Sequence, residues 1–160
     1  MGNVELSFEN FLLDVPPTQR PFVDPIHALL VNQCTVKLQM AKSGYVVSYV
    51  CGKNKRVVAN FIFRKQGLLL RIYGDHCDQY QPLIDGLPDA MKAEIEKTAV
   101  CRRLLDPTRC NARCPMGNRF TLRGTEHKKC RYTSFVFLVD GDTTPHLLAF
   151  LGKELETRTA

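Results

Sequence analysis

A chain of 160 residues, 44% hydrophobic and 24% charged, is long enough to bury one core and too apolar to be disordered or fibrous. It contains no apolar run near the roughly 20 residues that cross a bilayer, and Met1-Gly2-Asn3-Val4-Glu5 lacks the basic and apolar regions of a secretory leader. A cytoplasmic protein with no membrane partner is therefore expected. The net charge of +6 is unevenly spread: positions 101–131 hold nine basic and two acidic residues, a local +7 that leaves −1 for the rest.

Ser7 to Leu13 reads as a short helix capped by Ser7 and ended by Pro16-Pro17. A second helix is expected from Pro21 to Asn32, with Phe22, Ile26, Leu29 and Leu30 at helical spacing and Pro25 in its first turn. Alternation with period 2 follows. Val36, Leu38 and Met40 form one strand, and Tyr45, Val47, Tyr49 and Cys51 the next, after the turn signal Ser43-Gly44. Val57, Ala59, Phe61 and Phe63 continue the pattern, and Lys65-Gln66-Gly67 turns the chain into Leu68 to Tyr73. Short connections make these four strands an antiparallel meander.

Asp78 to Ile84 is expected to form one or two helical turns. A longer helix starts at Pro88, carries Met91, Ile95 and Ala99 on one side, and reaches Leu104 or Leu105 before Pro107. Tyr132 to Val139 is a fifth strand, Asp140-Gly141-Asp142 a loop, and Thr144-Pro145 opens a last helix with Leu147, Leu148, Leu151 and Leu155 inward. The expected fold is one α+β domain over residues 1–160. An antiparallel meander sheet of about five strands has helices on one face, and the basic, cysteine-rich segment 101–131 forms a metal-binding loop.

That segment carries Cys101-x8-Cys110-x3-Cys114-x15-Cys130. In a reducing compartment clustered thiols more often hold metal than pair as disulfides, and seven cysteines are an odd number for a disulfide framework. Two thiolates separated by three residues on a turn reach one ion, and zinc accepts four thiolates tetrahedrally. Cys101, Cys110, Cys114 and Cys130 are the expected ligands, with His127 as an alternative donor. Pro115 directly after Cys114 leaves a [4Fe–4S] cluster as a second reading, and a thiol-redox protein as a third. In the latter, Tyr45, Tyr49 and Tyr73 would line a pocket. Cys34 and Cys51 sit in apolar patterns and read as core, and the adjacent His76 and Cys77 are poorly arranged to chelate together.

A closed four-thiolate site has no open position for substrate, and no catalytic motif stands elsewhere, so no reaction is predicted. Asp75, Asp78, Asp140 and Asp142 read as loop carboxylates. The basic residues Arg109, Arg113, Arg119, Arg123, Lys128 and Lys129 suit contact with nucleic acid or another anionic partner, with Phe120, Tyr132 and Phe135 as nearby aromatics. Their second explanation is compensation of thiolate charge.

The order of helices, then hairpins with Phe61-Ile62-Phe63-Arg64 and Leu70-Arg71-Ile72-Tyr73, resembles small bacterial α+β domains of the YdhG-like type over residues 5 to 105. The resemblance implies that layout alone. The cysteine segment departs from it as an elaboration, and no functional residue is carried over.

Overall fold

The computed structural model describes residues 5–52, 55–111, 113–115 and 117–159. Helix α1 spans Phe8–Asp14, with the Ser7 hydroxyl accepting the Asn10 amide at 3.1 Å. Helix α2 spans Arg20–Val31 and buries Val23, Ile26 and Leu30. The four expected strands follow as β1 (Thr35–Ala41), β2 (Gly44–Cys51), β3 (Arg56–Arg64) and β4 (Gly67–Ile72). A fifth main-sheet strand, β7 (Phe135–Leu138), joins β4, giving an antiparallel sheet of order β1-β2-β3-β4-β7.

Register explains which side chains form the core. Val47 stands opposite Phe61, Phe61 opposite Leu70, and Leu70 opposite Phe137, so one apolar row crosses four strands. Helices cover this face. Phe11 of α1 meets Phe61 with ring centroids 5.6 Å apart, and His27 of α2 meets Tyr49 at 5.7 Å. Phe150 of helix α6 (Thr144–Thr159) meets Phe135 at 4.8 Å. Tyr45 and Tyr49, 2% and 0% exposed, are core side chains beneath α1 and α2 and do not line a pocket.

Gln19 ties the layers together. Its buried amide nitrogen donates to the carbonyls of Leu68 and Val139 at 2.9 and 2.8 Å, and its oxygen accepts the Leu68 N–H at 2.9 Å. The Leu68 carbonyl also accepts the Val139 N–H at 3.1 Å, so Gln19 completes the hydrogen bonding of groups at the start of β4 and just beyond β7.

The chain between β4 and β7 departs from expectation. A 3-10 turn, Cys77–Tyr80, runs into helix α3, Gln81–Asp85. The expected long helix from Pro88 to Leu104 or Leu105 is divided into α4 (Asp89–Glu96) and α5 (Arg102–Leu105), with Val100 bridged to Lys129 between them. The cause is the Lys129 ammonium, which donates to the carbonyls of Glu96 and Thr98 at 2.9 and 2.8 Å. A cation on the last carbonyls stops α4 and favours its dipole. The β-branched Thr98 and Val100 then suit the extended path.

The cysteine segment also contains a hairpin that was expected to be irregular loop. Strands β5 (Asn118–Leu122) and β6 (Thr125–Lys129) pair as a separate antiparallel sheet. Arg123 and Gly124 both have positive φ, 52° and 82°, the combination that closes a tight two-residue hairpin. Asn118, Phe120, Leu122 and Lys129 are buried, and Phe120 lies 5.3 Å from Phe135.

Candidate functional site

Two of the four candidate cysteine ligands, Cys101 and Cys130, lie at the base of the β5–β6 hairpin. The Cys101 N–H donates to the Lys128 carbonyl at 2.8 Å and the Cys130 N–H to the Ala99 carbonyl at 2.9 Å. Cys101 and Cys130 therefore flank the Val100–Lys129 bridge on neighbouring extended segments, and both side chains project to the face opposite those two residues. Such diagonal neighbours have Cα atoms about 7–8 Å apart. Cys101 is buried, and its side chain packs against Gly117, where a Cβ would collide with it and with the Lys129 carbonyl.

Cys114 lies three residues before Gly117. Its carbonyl accepts from the Arg103 guanidinium at 2.6 Å, and the same nitrogen holds the Asn111 carbonyl at 3.0 Å. The Cys114 N–H in turn donates to Asn111 at 3.0 Å. Burial first, then Cys114, with Tyr73 and Cys130 adding, raises the Tyr132 phenol above its ordinary value against the pull of Arg131.

Cys110 stands apart, exposed and in the left-handed region at φ 63°. Among the described residues, no three His, Cys, Asp or Glu side chains are grouped as a metal ion would hold them. All seven cysteines are free thiols. His127 is half-buried on β6, directly across from Phe120 and stacked on it at 6.2 Å. Three residues separate it from Cys130, a spacing that places the two on opposite faces of an extended chain.

The expected anion-contact residues divide according to face. Arg109, Arg113 and Arg119 are exposed and Lys128 is half-buried. Arg109 pairs loosely with Asp106 at 3.7 Å. Arg119 and Lys128 stand directly opposite each other in the hairpin. Arg123 is engaged by Glu96 at 3.1 Å and Asp89 at 3.7 Å. Lys129 points inward as the cap of α4 and is 5% exposed, so it is structural and not a surface cation.

Beside the cysteines lies a buried ionic cluster with no local sequence signature. Asp75, expected as a turn residue, has a side chain only 10% exposed and meets three guanidiniums: Arg131 at 2.7 Å, Arg158 at 3.3 Å and Arg56 at 3.8 Å. Glu154 of α6 is fully buried. One oxygen accepts the Asp75 and His76 N–H groups at 2.9 and 3.4 Å and the Tyr80 hydroxyl at 2.7 Å, and the other takes Arg158 at 2.8 Å. Asp140 does behave as a turn residue, accepting the Asp142 and Thr143 N–H groups at 2.9 and 2.8 Å.

The remaining cysteines are chemically quiet. Burial, then hydrogen bonding and charge from Cys51, pushes the Cys34 thiol up to about 12. Burial likewise pushes Cys77 up to about 12, against the lowering effect of the Tyr80 hydroxyl 3.7 Å from its sulfur. Neither supplies a thiolate near neutral pH.

Among the described residues no helix is long and apolar enough to cross a membrane. No protein-family model matches the chain, and no curated protein or solved structure is similar to it.

Proposed function

We propose that this protein is a metal-binding domain whose four cysteines, Cys101, Cys110, Cys114 and Cys130, clamp a zinc ion and thereby shape a basic surface for an anionic partner. The observation that carries this reading is the placement of Cys101 and Cys130 on one side of adjoining extended segments, with Cys114 on the loop that leads to Gly117, against which Cys101 packs. The loop bearing Cys110 and Cys114 is held to α5 through Arg103. Two donors beside a single β-bridge and two on a turn-rich loop suit a site that closes when metal arrives, because the ordering of the loop is coupled to binding. Zinc suits four thiolates, and a closed shell serves structure and not catalysis. A [4Fe–4S] cluster is the second occupant that this donor set accepts.

The partner reading rests on the hairpin. Arg119 and Lys128 are held opposite each other, and like charges so placed are destabilising. An anion bridging them removes that cost. Nucleic-acid phosphates are the proposed partner group, with the exposed Arg109 and Arg113 extending the contact.

Elemental analysis of freshly purified protein tests the metal. About one zinc per chain is expected, falling when any of the four cysteines is changed to serine, and less than about half an equivalent of any transition metal overturns the reading. Iron with a brown colour replaces zinc by the cluster. Binding to a mixed-sequence oligonucleotide should weaken with salt and with Arg119→Glu, and a flat, salt-insensitive titration removes the nucleic-acid partner.

A further inference from the structure

A cavity of about 110 Å³ lies between the loop after β4 and the start of β5. Arg56, Asp75, His76, Asn118 and Arg131 contribute to its walls. We propose that it binds a small tetrahedral oxyanion, inorganic phosphate or a terminal phosphoryl group, through side chains other than the cysteines and away from the outer face of the hairpin.

The argument starts from charge. Three guanidiniums, those of Arg56, Arg131 and Arg158, share two carboxylates, Asp75 and Glu154. The Arg158–Glu154 pair closes on itself at 2.8 Å, and the other Arg158 nitrogens hold the carbonyls of Arg56, Val57 and Tyr73 at 3.2, 3.3 and 2.9 Å. Arg56 and Arg131 are then left to Asp75 alone, one positive charge in excess. The buried guanidiniums of Arg131 and Arg158 are paired, so the excess stands on the more open Arg56, 43% exposed at the cavity, where a bound anion would pair with it.

Hydrogen-bonding capacity points the same way. A guanidinium carries five N–H donors and no acceptor. Among the described residues, the ion pairs of Arg56 and Arg131 are both to Asp75, at 3.8 and 2.7 Å. The Arg131 side chain is 6% exposed and flanked by the rings of Tyr73 and Tyr132, 5.9 and 6.0 Å from its central carbon. It is fixed in place with donors to spare on the cavity wall. Arg56 enters from β3, Arg131 from just beyond β6, and His76 from the loop after β4, so donors converge from separate elements. That convergence suits a compact tetrahedral group, and charge-assisted bonds to its oxygens are the strong kind. The volume admits a phosphate-sized ion and leaves no room for an attached base or sugar inside.

Titration of the full chain with sodium phosphate, followed by the amide spectrum and by thermal unfolding, tests this against chloride at matched ionic strength. Saturable shifts at Gly74, His76 and Asn118, with a rise in unfolding temperature, are expected for phosphate and sulfate. Phenyl phosphate competing while dimethyl phosphate does not would assign a phosphoryl terminus; competition by neither assigns the free ion. Arg56→Gln, at a side chain 43% exposed and thus safe for folding, should weaken phosphate about tenfold, the loss of roughly one charge-assisted hydrogen bond. Arg119→Gln on the hairpin should leave it unchanged. Equal responses to phosphate and chloride overturn the proposal, as does Arg119→Gln weakening phosphate while Arg56→Gln does not.

Discussion

Replacing Glu154 by glutamine keeps the shape of the side chain and removes its charge. In the wild type one carboxylate oxygen receives two backbone N–H groups and the Tyr80 hydroxyl, and the other receives Arg158 Nε at 2.8 Å. A glutamine can present its carbonyl to only one of these sides. If it serves Asp75, His76 and Tyr80, its amide N–H₂ faces the Arg158 N–H, donor against donor. Removing one partner of a buried ion pair costs about 3–5 kcal/mol. Asp75 still lies 3.3 Å from Arg158, so the lower end, about 3 kcal/mol, is expected for Glu154→Gln. That is a large share of the roughly 5–15 kcal/mol by which such domains are stable. The midpoint in urea should fall with an unchanged slope, and the unfolding temperature should drop by about 6–12 °C. In a double-mutant cycle with Arg158→Met, the coupling should exceed about 1 kcal/mol. A Glu154→Gln protein within about 1 kcal/mol of wild type, or strict additivity in the cycle, would refute the account of this cluster.

Two further perturbations bear on the layers above the sheet. Gln19→Leu leaves the Val139 carbonyl and the Leu68 N–H without their Gln19 partner and removes one of the two donors to the Leu68 carbonyl, and a loss of about 2–3 kcal/mol is expected; a urea midpoint like that of wild type would contradict it. His27 is stacked on Phe8 at 3.8 Å and lies 2.7 Å from the Tyr49 hydroxyl, and burial lowers its pKa below 6.5 despite the raising effect of Asp24. Below pH 6.5 the unfolded chain takes up a proton that the folded imidazole resists. This contribution to stability is therefore complete above pH 6.5 and is lost as the pH falls toward the folded value. Urea midpoints measured across that range should decline less in His27→Phe than in wild type, and parallel curves would show that His27 plays no part.

Much of the main sheet was legible because one physical cause, burial on a single face, dominates it. Along β2, Tyr45, Val47, Tyr49 and Cys51 are buried while the residues between them are half-buried, which is the alternation the eye finds in sequence. The β5–β6 hairpin escaped because its inner face carries Asn118 and Lys129 beside Phe120 and Leu122. Polar side chains buried by specific hydrogen bonds read as surface when only hydrophobicity is followed. Lys129 misled twice, as the unseen stop of α4 and as a supposed surface cation. At the site, spacing singled out four cysteines, of which Cys101 and Cys130 flank one β-bridge. The ionic cluster was invisible, because residues 56, 75, 131, 154 and 158 meet only after the chain has folded. Glu154 and Arg158, four apart on one helix, were its one local hint.

The position of Arg158 has a consequence for the order of events as the chain is made. Its guanidinium binds carbonyls of residues 101, 102 and 85 positions earlier, so the loop after β4 and the start of β3 must wait for the last helix before their polar groups are satisfied. Pairings of such long sequence separation are slow to form. Until α6 docks, Phe135 lacks the cover that Phe150 gives it, and exposed apolar surface of this kind is the condition in which partly folded chains associate with one another. Arg158 thus joins the start of β3 and the loop after β4 to α6, whose Leu147, Phe150, Leu151 and Leu155 are buried with it.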